Sequence, residues 1–251
     1  MGRVFSQPET PNALTLEKGD YVITTYPYLG KGSFGIVFKA SHKHDYSRQE
    51  VAAKEIDFSQ LNADVKKALM KHAIDELSTM QNLEPHKNIV ELFDHFSDAK
   101  SLWIFMELCD KGNLHMYLQQ AGARVDLDTK LSLMQDCCAG LMSMHEQNVL
   151  HRDIKPQNIL IKNVHGVDTA KISDFGLAKA TEASVMYGEV TLHRTQASVA
   201  GTPTYMAPEL FASQYQQSKG RSRHSKQTDI FSLGLVFDMM LKHGVTGREG
   251  T

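Results

Sequence analysis

The sequence predicts an α+β fold, with a small antiparallel β-sheet carrying one helix followed by a mainly helical part. Three observations point to it. Short runs rich in Val, Ile, Thr, Tyr and Phe recur before residue 108, separated by polar turns. Within that half, 64–83 places apolar residues three and four apart, the spacing of a helix face. Beyond Gly112 helical spacing takes over. A chain of 251 residues allows one or two domains and can bury a sizeable core.

Composition narrows the function classes. A hydrophobic fraction of 41% with 22% charged residues is ordinary for a soluble globular protein. The formal net charge of −2 gives no support for binding nucleic acid or a membrane through bulk charge. Cys109, Cys137 and Cys138 lack metal-ligand spacing, so reduced thiols and a cytoplasmic location are expected. The first thirty residues hold no signal-type apolar core. The apolar run nearest to a membrane span, Ile230 to Leu241, is short and is interrupted by Asp238.

In chain order, residues 1–20 are polar, contain Pro8 and Pro11, and are expected to be a loose extension. Tyr21 to Leu29 has strand composition. It leads into Gly30-Lys31-Gly32-Ser33-Phe34-Gly35-Ile36-Val37, where three glycines between β-prone runs let backbone approach a ligand. The same spacing could open a dinucleotide-binding helix, but the β-branched continuation disfavours that. His42 to Glu50 reads as a turn, and Val51-Ala52-Ala53-Lys54 as a strand. Lys54 taken alone would be a surface lysine; its apolar flanks argue otherwise. The helix over 64–83 carries a stripe of Val65, Leu69, Ala73, Leu77 and Met80, with Glu76 beside it. Asn88 to Leu92 and Ser101 to Glu107 read as two antiparallel strands. Helices follow at 113–120 and 127–147, the second burying Leu131, Met134, Cys138, Leu141, Met142 and His145. Lys171-Ile172-Ser173 is a short strand, and a helix begins near Thr228.

The stretch that organises the chain is His151-Arg152-Asp153-Ile154-Lys155-Pro156-Gln157-Asn158, a polar turn between the apolar pieces Val149-Leu150 and Ile159-Leu160-Ile161. Asp153 could accept a proton, Lys155 could neutralise a phosphate and Asn158 could hold a divalent cation. A second carboxylate follows in Asp174-Phe175-Gly176. The long polar segment 177–206 ends in Gly201-Thr202-Pro203-Thr204-Tyr205-Met206-Ala207-Pro208-Glu209. Unstructured segments of that length inside a domain are usually functional.

Together H-R-D-x-x-x-x-N, D-F-G, A-P-E and the glycine-rich loop resemble the eukaryotic-type protein kinases. The resemblance runs from about Tyr21 to Lys242 and implies a bilobal fold. Residues 21–108 would form the N-lobe and hinge, and 109–251 a partial C-lobe. It further implies ATP and Mg²⁺ as cofactors and a protein substrate. Leu29, Val37, Ala52 and Leu160 would sandwich adenine, Glu107, Leu108 and Cys109 would form the hinge, and Met106 just before it would gate the back pocket. Gly30, Lys31, Gly32, Ser33, Phe34 and Gly35 would belong to the nucleotide-binding loop, with the amides of Gly32 to Gly35 covering the phosphates. Lys54, oriented by Glu76 with Asp75 as competitor, would hold them, and Asn158 and Asp174 would bind the metal. Asp153 would be the base. Lys155, with Thr202 bonded to it and to Asp153, resembles the serine/threonine class. Asp229 would bond amides of the catalytic loop. Arg152 would read phosphate on Ser198, with Thr195 and Ser184 as weaker sites.

The basic run 219–226 looks like an insertion, most simply a solvated loop. The family normally continues beyond the last helix with further helices, one carrying an arginine for the A-P-E glutamate, here Glu209. The chain is therefore expected to be truncated at the C-terminus of the catalytic domain. Apolar surface near Phe231, Leu235 and Met239 would then be open to a covering partner. The alternative function is a catalytically weak kinase-like module that binds ATP or a partner.

Overall fold

A computed structural model of the chain describes residues 14–32, 35–48, 50–121, 125–174, 203–210 and 224–242. Seven strands form one antiparallel sheet: β1 (Thr15–Lys18), β2 (Tyr21–Thr24), β3 (Gly30–Gly32), β4 (Gly35–His42), β5 (Val51–Asp57), β6 (Leu92–Ser97) and β7 (Ser101–Glu107). Their order is β1-β2-β4-β5-β7-β6, with β3 folded back onto β4. Helix α1 (Ala63–Gln81) follows β5. The second part holds α2 (Leu114–Ala121), α3 (Leu127–Glu146), the hairpin β8 (Ile159–Val164) and β9 (Val167–Ile172), and α4 (Lys226–Lys242).

The two faces of the sheet follow from the alternation of side chains along a strand. On β7, Trp103 and Phe105 join one cluster with Tyr21, Ile23, Phe38 and Val51. Leu102 and Ile104, one residue out of phase, join Ala73 and Leu77 of α1. A strand buried on both faces reads as a continuous apolar run, as Leu102 to Phe105 does.

β3 and β4 pair in register from Gly30↔Val37 to Gly32↔Gly35. Gly35 has φ +136°, and a Cβ there would stand 1.8 Å from the Glu55 carbonyl oxygen. Only glycine fits this corner.

In the second part α3, β9 and α4 enclose a core of Leu133, Cys137, Met144, Ile159, Ile161, Ile172, Val236 and Met240. Helix starts are set by side chains. Asn113 Oδ1 accepts the Met116 N–H at 3.0 Å, and Asp126 Oδ1 accepts the Thr129 N–H at 2.8 Å. At Gly140 a Cβ would lie 2.5 Å from the Asn88 carbonyl oxygen, so α3 closely approaches the chain between α1 and β6.

Several expectations are corrected. Residues 15–18 are not loose: they form β1, paired with β2 from Thr15↔Thr24 to Lys18↔Tyr21. The strand expected over 21–29 stops at Thr24 and resumes at Gly30. The strand expected at 88–92 lies at 92–97, because Asn88 and Val90 spend their backbone groups on Ile172 of the other part (2.9 Å each). Of the expected buried face of α3, Met134, Leu141 and His145 are buried, and the other three positions are not. Leu131, Met142 and Cys138 are exposed, whereas Leu133, Cys137 and Met144 are buried. Both stripes are apolar at helical spacing, so periodicity alone does not choose between them. Val149 and Leu150 are half-buried but form no strand.

Gly35→Ala is expected to lower the thermal unfolding midpoint clearly, by about 1–3 kcal/mol of stability, because side chain and backbone carbonyl cannot both fit. Gly30→Ala, where a Cβ meets nothing within 4 Å, is expected to cost less in the same melt.

Candidate active site

The centre of the site is the turn 151–158, and a buried carboxylate holds it. Asp229, in the first turn of α4, is 1% exposed. Its Oδ2 accepts the His151 N–H at 2.9 Å, and its Oδ1 the Arg152 N–H at 2.8 Å. His145 Nε2, from the end of α3, reaches Oδ2 at 2.9 Å. A buried charge needs such donors. Arg152 has φ +69°, a left-handed conformation that costs about 1–3 kcal/mol unless its surroundings impose it. Asp229 supplies that imposition.

His151 is fully buried within the turn. Its Nδ1 accepts the Asp153 N–H at 3.2 Å, so Nε2 carries the proton and donates to the Ser173 carbonyl at 2.9 Å. Burial pushes the imidazole below its ordinary 6.5, which keeps this neutral, bridging tautomer. Ser173 in turn gives both its N–H (2.9 Å) and its hydroxyl (3.1 Å) to the Asn158 carbonyl. The residue before Asp174 is thus tied at both ends of the turn.

On the open side, Asp153 Oδ2 receives Lys155 Nζ at 2.6 Å and Asn158 Nδ2 at 2.9 Å. Asn158 Nδ2 also donates to the Asp153 carbonyl at 2.8 Å. With its nitrogen used in this way, Asn158 turns its amide oxygen away from Asp153. Asp174, with φ +56°, sends Oδ1 to Lys54 Nζ at 2.5 Å. Lys54 is 4% exposed on β5, between strand partners Val37 and Ile104. That ion pair links the sheet to the turn.

The remaining expected residues fall around this centre. Val37, Ala52 and Leu160 are half-buried or buried, and Leu29 is exposed just before β3. Met106 pairs with Ala52 across β5 and β7. Glu107 ends β7, and Cys109 is buried in the linker beyond it. Burial, with the Glu107 carboxylate next, pushes the Cys109 thiol up to about 12, so it stays protonated. Gly30, Lys31 and Gly32 are β3 and Gly35 opens β4, while Ser33, Phe34, Thr202 and the side chains of Glu76 and Asp75 lie outside the described residues. So do Phe175, Gly176, Ser184, Thr195, Ser198 and 219–223. The Ser232 hydroxyl donates to the Tyr205 carbonyl at 2.6 Å, tying the chain just before A-P-E to α4.

Sequence reasoning missed Ser173 and His145 as parts of the site. Their only signals were position: Ser173 directly precedes Asp174, and His145 sits on the helix leading to the turn.

Comparison with known proteins decides the family. Residues 23–248 match the protein kinase domain. The chain belongs to the protein kinase family. Among relatives similar to this kinase is the serine/threonine-protein kinase ATG1c of Arabidopsis thaliana, 30% identical over 230 residues, 92% of this chain and 27% of the relative. The probable serine/threonine-protein kinase zyg-1 of Caenorhabditis elegans is 32% identical over 214 residues, 85% of this chain and 26% of the relative. The human serine/threonine-protein kinase ULK1 is 33% identical over 226 residues, 87% of this chain and 19% of the relative. The kinase chain therefore spans about a quarter of the length of the first relatives, at 27% and 26%. Its sheet with one helix and its helical second part are the two lobes of the protein kinase fold. No helix among the described residues is long and apolar enough to cross a membrane.

The donor chemistry of the site fits Mg²⁺. Asn158 offers an amide oxygen and Asp174 a carboxylate, both hard ligands, held near each other through Ser173. Among the described residues no three His, Cys, Asp or Glu side chains form a cage, and a protein site for Mg²⁺ commonly leaves positions to water and phosphate.

Asp229→Ala is expected to cost about 3–5 kcal/mol, because two amides and the His145 ring lose their acceptor in the core. Denaturant unfolding of the variant beside wild type measures it.

Proposed function

We propose that the chain is an ATP-dependent protein kinase that moves the γ-phosphate of ATP to serine or threonine hydroxyls of protein substrates. The observation that carries this reading is the convergence of Lys54 with Asp174 and of Lys155 and Asn158 on Asp153. Phosphoryl transfer asks a protein chiefly for positioning and charge neutralisation, and these groups are what such a task requires.

The residues divide the work. Leu29, Val37, Ala52 and Leu160 bracket the base, and the backbone from the end of β7 at Met106 and Glu107 to Cys109 in the linker meets its edge. The amides of the glycine turn, 30–35, cover the phosphates. Lys54, oriented by Glu76, neutralises them. Asn158 and Asp174 hold Mg²⁺, which screens phosphate charge when bound. Asp153 turns its second carboxylate oxygen to the substrate hydroxyl and takes its proton, while the bonds to Oδ2 keep the group aimed. Lys155 lies 2.6 Å from that carboxylate and offsets negative charge on the moving phosphoryl group.

The serine/threonine assignment is supported by Lys155 in the catalytic turn, by Thr202 after it, and by the relatives, which are serine/threonine-protein kinases by name. A competing reading is a nucleotide- or partner-binding module without turnover. It draws on exposed Ile230, Phe231 and Leu241 along α4. The ordered contacts of Asp153, Lys155 and Asn158 favour the enzyme.

Asp153→Asn keeps the shape of the site and removes the proton acceptor. Phosphate transfer from labelled ATP to a generic protein substrate, with phosphoamino-acid identification, is expected to yield phosphoserine or phosphothreonine. The variant is expected to be slower by about 10²–10⁴-fold. Equal rates would contradict the assignment.

A further inference from the structure

We propose that Glu107, Lys162 and Lys171 form a latch that positions the interlobe linker against the strand leading to Asp174, and thereby sets how tightly nucleotide is held. For its nucleotide readout the proposal rests on the kinase reading above; its geometry does not.

Glu107 is the last residue of β7, directly before the linker. Its backbone is fixed by strand pairing with Val51 and by its N–H bond to the Glu91 carbonyl at 2.9 Å. Its side chain does something separate. Oε1 accepts Lys162 Nζ at 2.7 Å and Oε2 pairs with Lys171 Nζ at 2.9 Å. The Glu91 N–H approaches Oε2 at 3.3 Å. One carboxylate thus joins β7 to both strands of the β8–β9 hairpin.

The hairpin register gives this contact its direction. Leu160 lies opposite Lys171, and Lys162 opposite Thr169. Directly paired residues share a face, and residues two apart share it too. Leu160, Lys162 and Lys171 therefore occupy one face, while Ile159, Ile161, Ala170 and Ile172 fill the core beneath. Leu160 is the residue assigned to the nucleotide floor, so the latch borders that floor. Lys171 also precedes Asp174 by three residues. The intervening Ile172 is held by its N–H to the Asn88 carbonyl and by the Val90 N–H to its own carbonyl, each 2.9 Å. A shift at Lys171 has little slack to absorb it before Asp174.

Burial makes the contact costly to lose. Lys171 is 7% exposed, unusual for a strongly hydrated ammonium group. Burial alone would raise the Glu107 carboxyl; the two lysines outweigh it and hold the group below its ordinary value. Two ammonium groups share one carboxylate, so the acid is the indispensable member. Its sequence position marked Glu107 only for its backbone.

The test compares Lys171→Met, Lys171→Arg, Glu107→Gln and the double variant Glu107→Gln/Lys171→Met. Three quantities are read: Mg-ATP affinity by titration, KM and kcat, and amide hydrogen exchange at 172–174 without nucleotide. Lys171→Met is expected to weaken Mg-ATP binding about fivefold, with KM rising more than kcat falls. Exchange at 172–174 is expected to quicken. Lys171→Arg is expected to recover most of the loss, and the double variant to be no worse than its weaker parent. Lys162→Met, which removes the more exposed lysine, gives a milder variant should Lys171→Met not fold, with a smaller change in the same direction. Folded variants with unaltered affinity and exchange, or strictly additive effects, would overturn the latch. A wild type that binds no Mg-ATP would overturn the kinase reading instead. The exchange rates at 172–174 would then decide the latch by themselves.

Discussion

The site depends on one carboxylate that never meets a substrate. Asp229 stands almost fully buried at the start of α4 and satisfies three donors: the amides of His151 and Arg152 and the ring of His145. Its bonds compel Arg152 into a left-handed conformation that an unconstrained arginine avoids. After that bend Asp153 and Lys155 stay partly exposed and bond each other, while Ile154 returns to the core. His151 then extends the same rigidity to Ser173, and Ser173 to Asn158. Three separate segments of chain, near 151, 173 and 229, become one polar unit.

The sheet contributes a second constraint. Lys54 must carry an ammonium into a nearly dry place, and an apolar central strand can do this because its neighbours set the register. With Val37 and Ile104 as its strand partners on either side, the lysine is placed to meet Asp174. Gly35 closes the turn above it where no other residue fits the approach to Glu55. The lobes are thus joined at several points: through Lys54 to Asp174, through Glu107 to the β8–β9 hairpin, and through Asn88 and Val90 to Ile172.

Much of this was legible in the sequence, for reasons that differ by residue. The turn 151–158 is read from its polar residues between apolar pieces, and Asp229 from the resemblance to the protein kinases. The small sheet is read from its β-branched runs. What could not be read depends on long-range contact. Leu131 and Leu133 are equally apolar, and only the packing of β9 and α4 against α3 chooses between their faces. Asn88 to Val90 has strand composition, yet its backbone pairs with Ile172 across the lobes, which local propensity cannot register. Residues 15–18 looked loose because a four-residue strand of Thr, Leu, Glu and Lys is stabilised by β2, not by its own composition. The Glu107 carboxylate gave no signal because both its lysines come from a hairpin more than fifty residues away.

The most direct measurement of the central claim is the Mg²⁺ dependence of ATP binding in wild type and in Asp174→Asn, by calorimetric titration with and without the metal. If Asn158 and Asp174 hold the metal beside nucleotide phosphates, Mg²⁺ is expected to strengthen ATP binding in wild type by about tenfold or more, and much less in the variant. The same Mg²⁺ dependence in both proteins would contradict the assignment of Asp174 and, with it, the site's reading as a centre for phosphoryl transfer.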